Sequence, residues 1–153
     1  MGMVMSFSRV TPAELARIES DPESMREFPW EPDRGGEPDG YLDKAWDGLR
    51  YLFETAELDI DLFLGGRSVD SDGTLSLWDA ELVRQTAKVL RGTPFDRLAR
   101  HFDPGQMTAQ NVYPNIWQRG DEALHYLRVN YEHLVRFFDF AATDGSGALM
   151  SFG

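Results

Sequence analysis

Residues 41–53 combine apolar and charged side chains with the period of an α-helix, and they predict a helix with one buried face. The apolar side chains recur at spacings of three and four residues: Leu42, Ala45, Trp46, Leu49, Leu52 and Phe53. The charged side chains fall on the other face, close enough to pair across one turn: Asp43, Lys44, Asp47 and Arg50. The segment is therefore expected to be a core element with an ion-paired outer face.

Similar patterns divide the rest of the chain into strands and helices. A Thr-Pro-Ala-Glu capping box at residues 11–14 predicts a helix to about Ser20, and Asp79 is placed to cap another helix. The remaining elements follow from periodicity: strands over residues 3–10, 73–78 and 148–152, helices over residues 41–53, 79–90 and 121–142, and a shorter helix beginning at residue 93. Terminal strands with helices between them predict an α+β fold, with a small sheet covered by several helices and a long C-terminal helix. Residues 1–153 are expected to form a single domain.

Two connections between these elements are long. Residues 21–40 are rich in proline and glycine and predict a long loop, which in a compact domain is either functional or mobile. Trp30 lies in this loop, and no periodic apolar face claims it, so it is a candidate exposed binding residue. Residues 55–73 are acidic and predict a partly ordered connection with a short helical turn near residues 58–64, while residues 103–105, Asp-Pro-Gly, predict a turn.

The charge of the chain limits its partners. The formal net charge is −11, which argues against nucleic acid because phosphate binding needs a basic face. An acidic surface instead confers solubility or suits a basic protein partner. No apolar run approaches the roughly 20 residues that span a bilayer, so no membrane association is expected. The chain has no cysteine and no basic leader segment, which fits a cytoplasmic protein.

Several short motifs together resemble the YfbM-like family of small bacterial proteins, which is known as a domain of unknown function. The matching segments extend over nearly the whole chain: Met-Gly-Met at residues 1–3, Leu-Asp-Lys-Ala-Trp-Asp-Gly-Leu at 42–49, Leu-Gly-Gly at 64–66, Val-Tyr-Pro-Asn-Ile-Trp at 112–117, and residues 131–149. The resemblance implies a single-domain α+β fold and a bacterial cytoplasmic protein, but it implies no chemistry. Residues 67–78 depart from the family pattern, so a shared site is not expected there.

Metal and cofactor sites are not expected. Residues 68–79 place acidic residues and Gly73 at positions like those of a calcium-binding loop, but Ser68 replaces the first carboxylate and Asp79 is too short for the bidentate glutamate. An acidic turn followed by a helix cap is the better interpretation. His125 and His133 are eight residues apart on one predicted helix, about 12 Å along its axis, which is too far for one ion.

Two segments supply the candidate binding residues. Asp43 and Asp47 share one face of the predicted helix, where they could form a carboxylate pair, but Lys44 and Arg50 favour an ion-paired surface. Tyr113 and Trp117 form an aromatic pair on a probable loop before the long helix. This pair either forms a ligand platform or packs as core beneath the helix, and the sequence leaves both interpretations open.

The function predicted first is a non-enzymatic acidic module that binds another protein. The alternative is an enzyme or small-ligand protein whose pocket lies between the helix at Asp43–Arg50 and the loop at Tyr113–Trp117. A homo-oligomer with a structural role is the third hypothesis. The chain carries no nucleotide-binding glycine loop, nucleophile elbow or zinc-protease motif, so no reaction is indicated.

Overall fold

The computed structural model describes residues 2–27 and 37–153, within which five strands form one antiparallel sheet. The strands are β1 (Met5–Val10), β2 (Gly40–Asp43), β3 (Arg67–Ser68), β4 (Leu75–Trp78) and β5 (Gly147–Phe152), in the order β2-β1-β5-β4-β3. The two strands from the ends of the chain pair at the centre of the sheet, from Met5 opposite Phe152 to Val10 opposite Gly147. Both ends of the chain are therefore tied into the fold by backbone hydrogen bonds.

The described residues also contain six α-helices and two 3-10 helices. The α-helices are α1 (Pro12–Ser20), α2 (Trp46–Thr55), α3 (Ala80–Arg91), α4 (Phe95–Ala99), α5 (Pro104–Ala109) and α6 (Asp121–Thr143). The 3-10 helices cover Pro22–Glu27 and Trp117–Arg119. The predicted α+β fold, with its small sheet, terminal strands and long C-terminal helix, is confirmed. Of the helices described, none is both long enough and apolar enough to cross a membrane.

The main core packs helices α2, α3 and α6 against the sheet. Phe7 of β1 is buried, and its ring centroid lies 5.2 Å from that of Trp78 on β4 and 5.2 Å from that of Phe138 on α6. Edge-to-face contacts of this kind add to the free energy gained by burying the rings. The alternating burial of β1 follows from the strand geometry, which points Met5 and Phe7 to the same side.

Local capping signals place two helices as the sequence predicts. The hydroxyl of Thr11 accepts a hydrogen bond from the amide of Glu14, and the Glu14 carboxylate accepts one from the amide of Thr11. At the start of α3, the Asp79 carboxylate accepts a hydrogen bond from the amide of Leu82. Each cap satisfies helix N–H groups that have no partner within the helix, so these boundaries are determined by nearby residues.

The helix predicted over residues 41–53 is wrong in its first part. Residues 40–43 form β2, which pairs with β1, and α2 begins only at Trp46. Asp43 has a φ of 51°, so the chain turns sharply between strand and helix. Leu42 is buried, and a buried leucine fits the end of a strand as well as the start of a helix. The apolar spacing alone therefore could not distinguish the two.

Two connections differ from prediction, whereas the short turn predicted near residues 58–64 is present. Within the predicted loop at residues 21–40, residues 22–27 form a 3-10 helix and β2 begins at residue 40; Trp30 lies outside the described residues. Asp103 does not form an isolated turn but caps α5, because its carboxylate accepts a hydrogen bond from the amide of Gln106 at 3.0 Å. The acidic connection holds the short strand β3, and at Asp61 it forms a turn in which the carboxylate accepts hydrogen bonds from the amides of Phe63 and Leu64.

Candidate functional site

Three of the predicted binding residues meet where α2 begins. One carboxylate oxygen of Asp47 accepts a hydrogen bond from the backbone amide of Tyr113 at 2.8 Å. The other accepts one from the guanidinium of Arg50, one turn further along the helix. Both oxygens of the Asp47 carboxylate therefore accept hydrogen bonds, and the bond to Tyr113 holds the segment around that residue against α2.

Asp43 and Lys44 lie beside this contact but not on the helix. The carboxylate of Asp43 accepts a hydrogen bond from the hydroxyl of Tyr126 at 2.6 Å and a longer one from Tyr41 at 3.3 Å. The backbone amide of Lys44 donates to the same Tyr126 hydroxyl. The predicted shared helix face of Asp43 and Asp47 is wrong, because the left-handed turn at Asp43 directs the two carboxylates to different partners.

The start of the chain crosses this region. The backbone amide of Met3 donates to the Tyr113 hydroxyl at 2.9 Å, and the Trp46 indole N–H donates to the Met3 carbonyl at 2.9 Å. Gly2 packs closely, since a Cβ built there would lie 2.7 Å from the Tyr113 hydroxyl. These contacts fix the orientations of Trp46 and Tyr113.

Four half-buried rings form a cluster next to these contacts: Trp46, Phe63, Tyr113 and Phe152, referred to as the aromatic cluster. The Trp46 centroid lies 5.6 Å from that of Tyr113 and 4.8 Å from that of Phe152, and Phe63 lies 4.6 Å from Phe152. Two exposed apolar residues adjoin the cluster. The backbone of Met3 forms hydrogen bonds with Trp46 and Tyr113, and Leu64, which follows Phe63 in the chain, is 78% exposed.

A cavity of about 350 Å³ opens between α2 and the loop at residues 60–64. Its apolar walls include Trp46 and Phe63 of the aromatic cluster, and its innermost side chains, Met5, Phe53 and Leu62, are buried. The rest of the lining consists of charged or more exposed residues: Asp47, Arg50, Glu54, Ile60, Asp61 and Leu64. The cavity thus has an apolar interior and a charged mouth.

The charges at the mouth are mainly negative. Arg50 pairs with both Asp47 and Glu54, and the contact with Glu54 measures 2.9 Å. Burial opposes protonation of Arg50, but the hydrogen bonds and charges of these two carboxylates outweigh it and raise the pKa of the guanidinium. With Asp61 included, three carboxylates and one guanidinium line the cavity, which leaves two negative charges in excess.

Trp117 lies in the core rather than at this surface. Its side chain is 0% exposed, and its indole N–H donates to the Val112 carbonyl at 2.7 Å. The backbone of α2 approaches it at Gly48, where a Cβ would lie 2.6 Å from the Trp117 ring. Of the two interpretations that the sequence left open, core packing applies to Trp117, whereas Tyr113 is half-buried.

The predicted pocket between α2 and the segment at residues 113–117 is not where the cavity lies. The two segments touch directly through Asp47 and Tyr113, and neither Tyr113 nor Trp117 lines the cavity. Sequence reasoning missed Phe63, Leu64 and Phe152, and it assigned Trp46 only to a core face. No signal in the sequence joins these four positions, because they come from three separate parts of the chain.

The acidic loop at residues 68–79 has structural roles in this fold. The Asp70 carboxylate accepts hydrogen bonds from the Thr74 hydroxyl and the Leu75 amide, and the first of these is the largest cause that lowers the pKa of Asp70. Asp79 is the cap of α3. In the part of the chain that the structure describes, no three His, Cys, Asp or Glu residues are grouped so that they could hold a metal ion.

Buried tyrosines should make stability fall at alkaline pH. Tyr131 is buried and donates a hydrogen bond to the Thr93 carbonyl at 2.6 Å, and burial raises the pKa of its phenol from 10.0 to about 12. The folded protein keeps this proton where the unfolded chain loses it, so the stabilisation is complete below pH 10 and is lost as the pH rises to about 12. We expect the free energy of unfolding to fall by about 2–3 kcal/mol over this range from Tyr131 alone.

The measurement is urea denaturation at pH values from 9 to 12, with Tyr131→Phe as the matched variant. Tyr131→Phe should show a shallower alkaline decline, because it has no proton to lose. Tyr126→Phe should remove a further part of the alkaline decline in the free energy of unfolding, because burial and the hydrogen bond to Asp43 also raise the pKa of Tyr126. An alkaline decline of equal slope in wild type and in Tyr131→Phe would show that Tyr131 does not cause it.

Comparisons with known proteins agree with this fold. The family described as "Domain of unknown function (DUF1877)" matches residues 1–151. A solved structure of YfbM from Escherichia coli, described as a protein of unknown function, is similar with a TM-score of 0.68 and 16% sequence identity, covering 98% of this chain and 99% of that one. No curated protein matches the chain. At this identity the likeness to YfbM shows the fold alone.

Proposed function

Since this chain belongs to the DUF1877 family of domains of unknown function, we propose its function from its surface: it is a non-enzymatic module that binds another protein. The binding face comprises the aromatic cluster and the cavity beside it. The partner presents a basic surface with at least one long side chain that enters the cavity.

The observation that carries this proposal is the aromatic cluster at the edge of an open cavity. Aromatic side chains are enriched at the energetic centres of protein interfaces, where they supply a large rigid contact area at low conformational cost. Hydrogen bonds to Met3 hold Trp46 and Tyr113 in place in the unbound chain. A surface arranged in this way loses little conformational entropy on binding.

Charge supports a basic partner. The chain has a formal net charge of −11, and the mouth of the cavity has an excess of carboxylates. Two further acidic residues, Glu57 and Asp59, are exposed on the connection that leads from α2 to the cavity loop. A negative surface of this kind accelerates encounters with a positively charged protein and disfavours acidic ones.

The arrangement of polar groups favours binding over catalysis. Asp47 is held by Arg50 and the Tyr113 amide, and Asp43 is held by two tyrosine hydroxyls. A general acid or base must be within reach of a substrate proton, whereas these carboxylates are engaged by the fold itself. The enzyme alternative is therefore not the one we propose. The proposal also takes the protein to be bacterial and cytoplasmic, which rests on the family resemblance and on the absence of cysteine.

The test compares three baits in a lysate of the source cells: wild type, Leu64→Ala, and Val129→Ala as the matched control. Leu64 lines the cavity and is 78% exposed, whereas Val129 is an exposed residue of α6 that does not line it. We expect one basic protein to be retained by wild type and by Val129→Ala and to be lost from Leu64→Ala. With that protein purified, Leu64→Ala should weaken binding by about 30-fold, as expected for a hot-spot residue.

Binding should also weaken as salt is raised, because the charges at the rim are exposed and are screened. Retention of the same proteins by all three baits would contradict the proposed binding face. A native mass spectrum that shows only a homodimer, disrupted by Leu64→Ala, would replace the partner with a second copy of the chain.

A further inference from the structure

We propose that the cavity between α2 and residues 60–64 receives an arginine side chain of the partner. This inference rests on the proposed function, because it names the group through which the partner is recognised. It follows from three properties of the cavity, namely its apolar interior, the charge at its mouth and its aromatic walls.

The interior suits a long aliphatic stem. Met5, Phe53 and Leu62 are buried at its base, and Ile60 lines its side. Its volume of about 350 Å³ is at the lower end of the range of about 300–1,000 Å³ that is typical of ligand sites. Space of this size fits one long side chain. An arginine that lies along the cavity, rather than pointing into it, packs its apolar stem against these side chains while the guanidinium at its tip reaches the carboxylates at the rim.

The mouth suits a cation. Glu54 gives Arg50 one of its oxygens, and Asp61 uses one of its oxygens for the amides of Phe63 and Leu64. Each of these two carboxylates thus keeps one oxygen that accepts no hydrogen bond in the described part of the chain. A second guanidinium can use these oxygens, and its charge offsets part of the excess of two negative charges.

The aromatic walls favour arginine over lysine. Trp46 and Phe63 line the cavity, and a guanidinium stacks on aromatic faces more readily than a strongly hydrated ammonium does. The chain itself uses this contact elsewhere: the guanidinium carbon of Arg128 lies 4.9 Å from the ring centroid of Phe95, and that of Arg9 lies 5.5 Å from that of Phe140. A purely apolar side chain would fill the interior but would leave the carboxylates at the mouth unpaired.

The probe is N-acetyl-L-arginine amide, titrated into isotopically labelled protein while the NMR signal of the Trp46 indole N–H is followed. N-acetyl-L-citrulline amide is the control probe, because it has nearly the same shape without the charge, and N-acetyl-L-leucine amide is the apolar control. We expect the arginine probe to bind at millimolar concentration and the citrulline and leucine probes to bind at least tenfold more weakly.

Matched variants separate the cavity from the general surface charge. Asp61→Asn keeps an oxygen for the amides of Phe63 and Leu64 but removes the charge, and it should weaken binding of the arginine probe about fivefold. Asp72→Asn removes an exposed charge from the turn before β4, which does not line the cavity, and should leave binding unchanged. Equal losses from the two variants would overturn the inference, because a diffuse field would then account for binding.

The inference and the proposed function fail separately. If the citrulline or leucine probe binds as tightly as the arginine probe, or if no probe moves the Trp46 signal, the arginine site is overturned, while loss of the partner from Leu64→Ala would still support the binding face. If the arginine probe binds selectively but no protein depends on Leu64, the cation preference of the cavity is supported and the proposed function is overturned.

Discussion

Replacement of Trp117 by alanine is expected to lower the free energy of unfolding by about 3–5 kcal/mol, the usual cost of removing a large aromatic side chain from a core. The ring is 0% exposed and packs against the backbone of α2 at Gly48, so its removal leaves a cavity at the contact between α2 and the segment that carries Trp117. The measurement is equilibrium denaturation in urea, with the midpoint and the slope compared with wild type.

Two further variants make this prediction specific. Trp117→Phe keeps most of the ring but loses the indole N–H that donates to Val112, and we expect a smaller loss of about 1–2 kcal/mol, which stays measurable if the alanine variant does not fold. Leu64→Ala, at an exposed position, should change the free energy of unfolding by less than about 0.5 kcal/mol. A Trp117→Ala protein of normal stability that binds its partner poorly would move Trp117 from the core to the binding surface.

Replacement of Asp47 by alanine is expected to cost about 2–3 kcal/mol, because it leaves the amide of Tyr113 without its acceptor and Arg50 without one of its two carboxylates. The effect should also reach the aromatic cluster, since Asp47 ties the segment that carries Tyr113 to α2. We expect faster hydrogen exchange at the Tyr113 amide in Asp47→Ala than in wild type, under conditions where the rest of the core remains protected.

Asp47→Asn and Glu54→Ala are the controls for this effect. Asparagine keeps an oxygen for the Tyr113 amide, so it should recover about half of the lost stability. Glu54 contacts the same Arg50 but is mostly exposed, and its replacement should cost less than about 0.5 kcal/mol. If Glu54→Ala were as damaging as Asp47→Ala, the ion pair with Arg50 rather than the hydrogen bond to Tyr113 would be the stabilising contact.

Helices α1, α3 and α6 could be predicted because their signals lie within a few residues of each other. The capping box at residues 11–14 and the cap at Asp79 act across one turn, and the apolar residues of α6 recur every three or four positions. The same type of signal was available for α5, where Asp103 precedes a proline, but Asp-Pro-Gly is also typical of a turn. Only the hydrogen bond to Gln106 separates the two.

Strand β2 could not be predicted from local sequence signals. Its residues fit the periodicity of the helix that follows them, and what makes them a strand is pairing with β1, more than thirty residues earlier in the chain. Pairing energy comes from a distant partner, so it does not appear in the local pattern. The candidate residues Asp43 and Asp47 were therefore found by the sequence, but their relation to one another was not.

The amino-acid sequence by itself determined the fold class, the caps of α1 and α3 and the charge of the surface. The tertiary structure decided which residues share a site. The antiparallel pairing of β1 with β5 places Phe152 opposite Met5, and ring contacts of Trp46 with Phe152 and Tyr113 and of Phe63 with Phe152 then complete the aromatic cluster. A cluster whose four rings come from four separate stretches of the chain depends on long-range packing, and packing energy is a property of neighbours in space, which no single stretch of sequence contains.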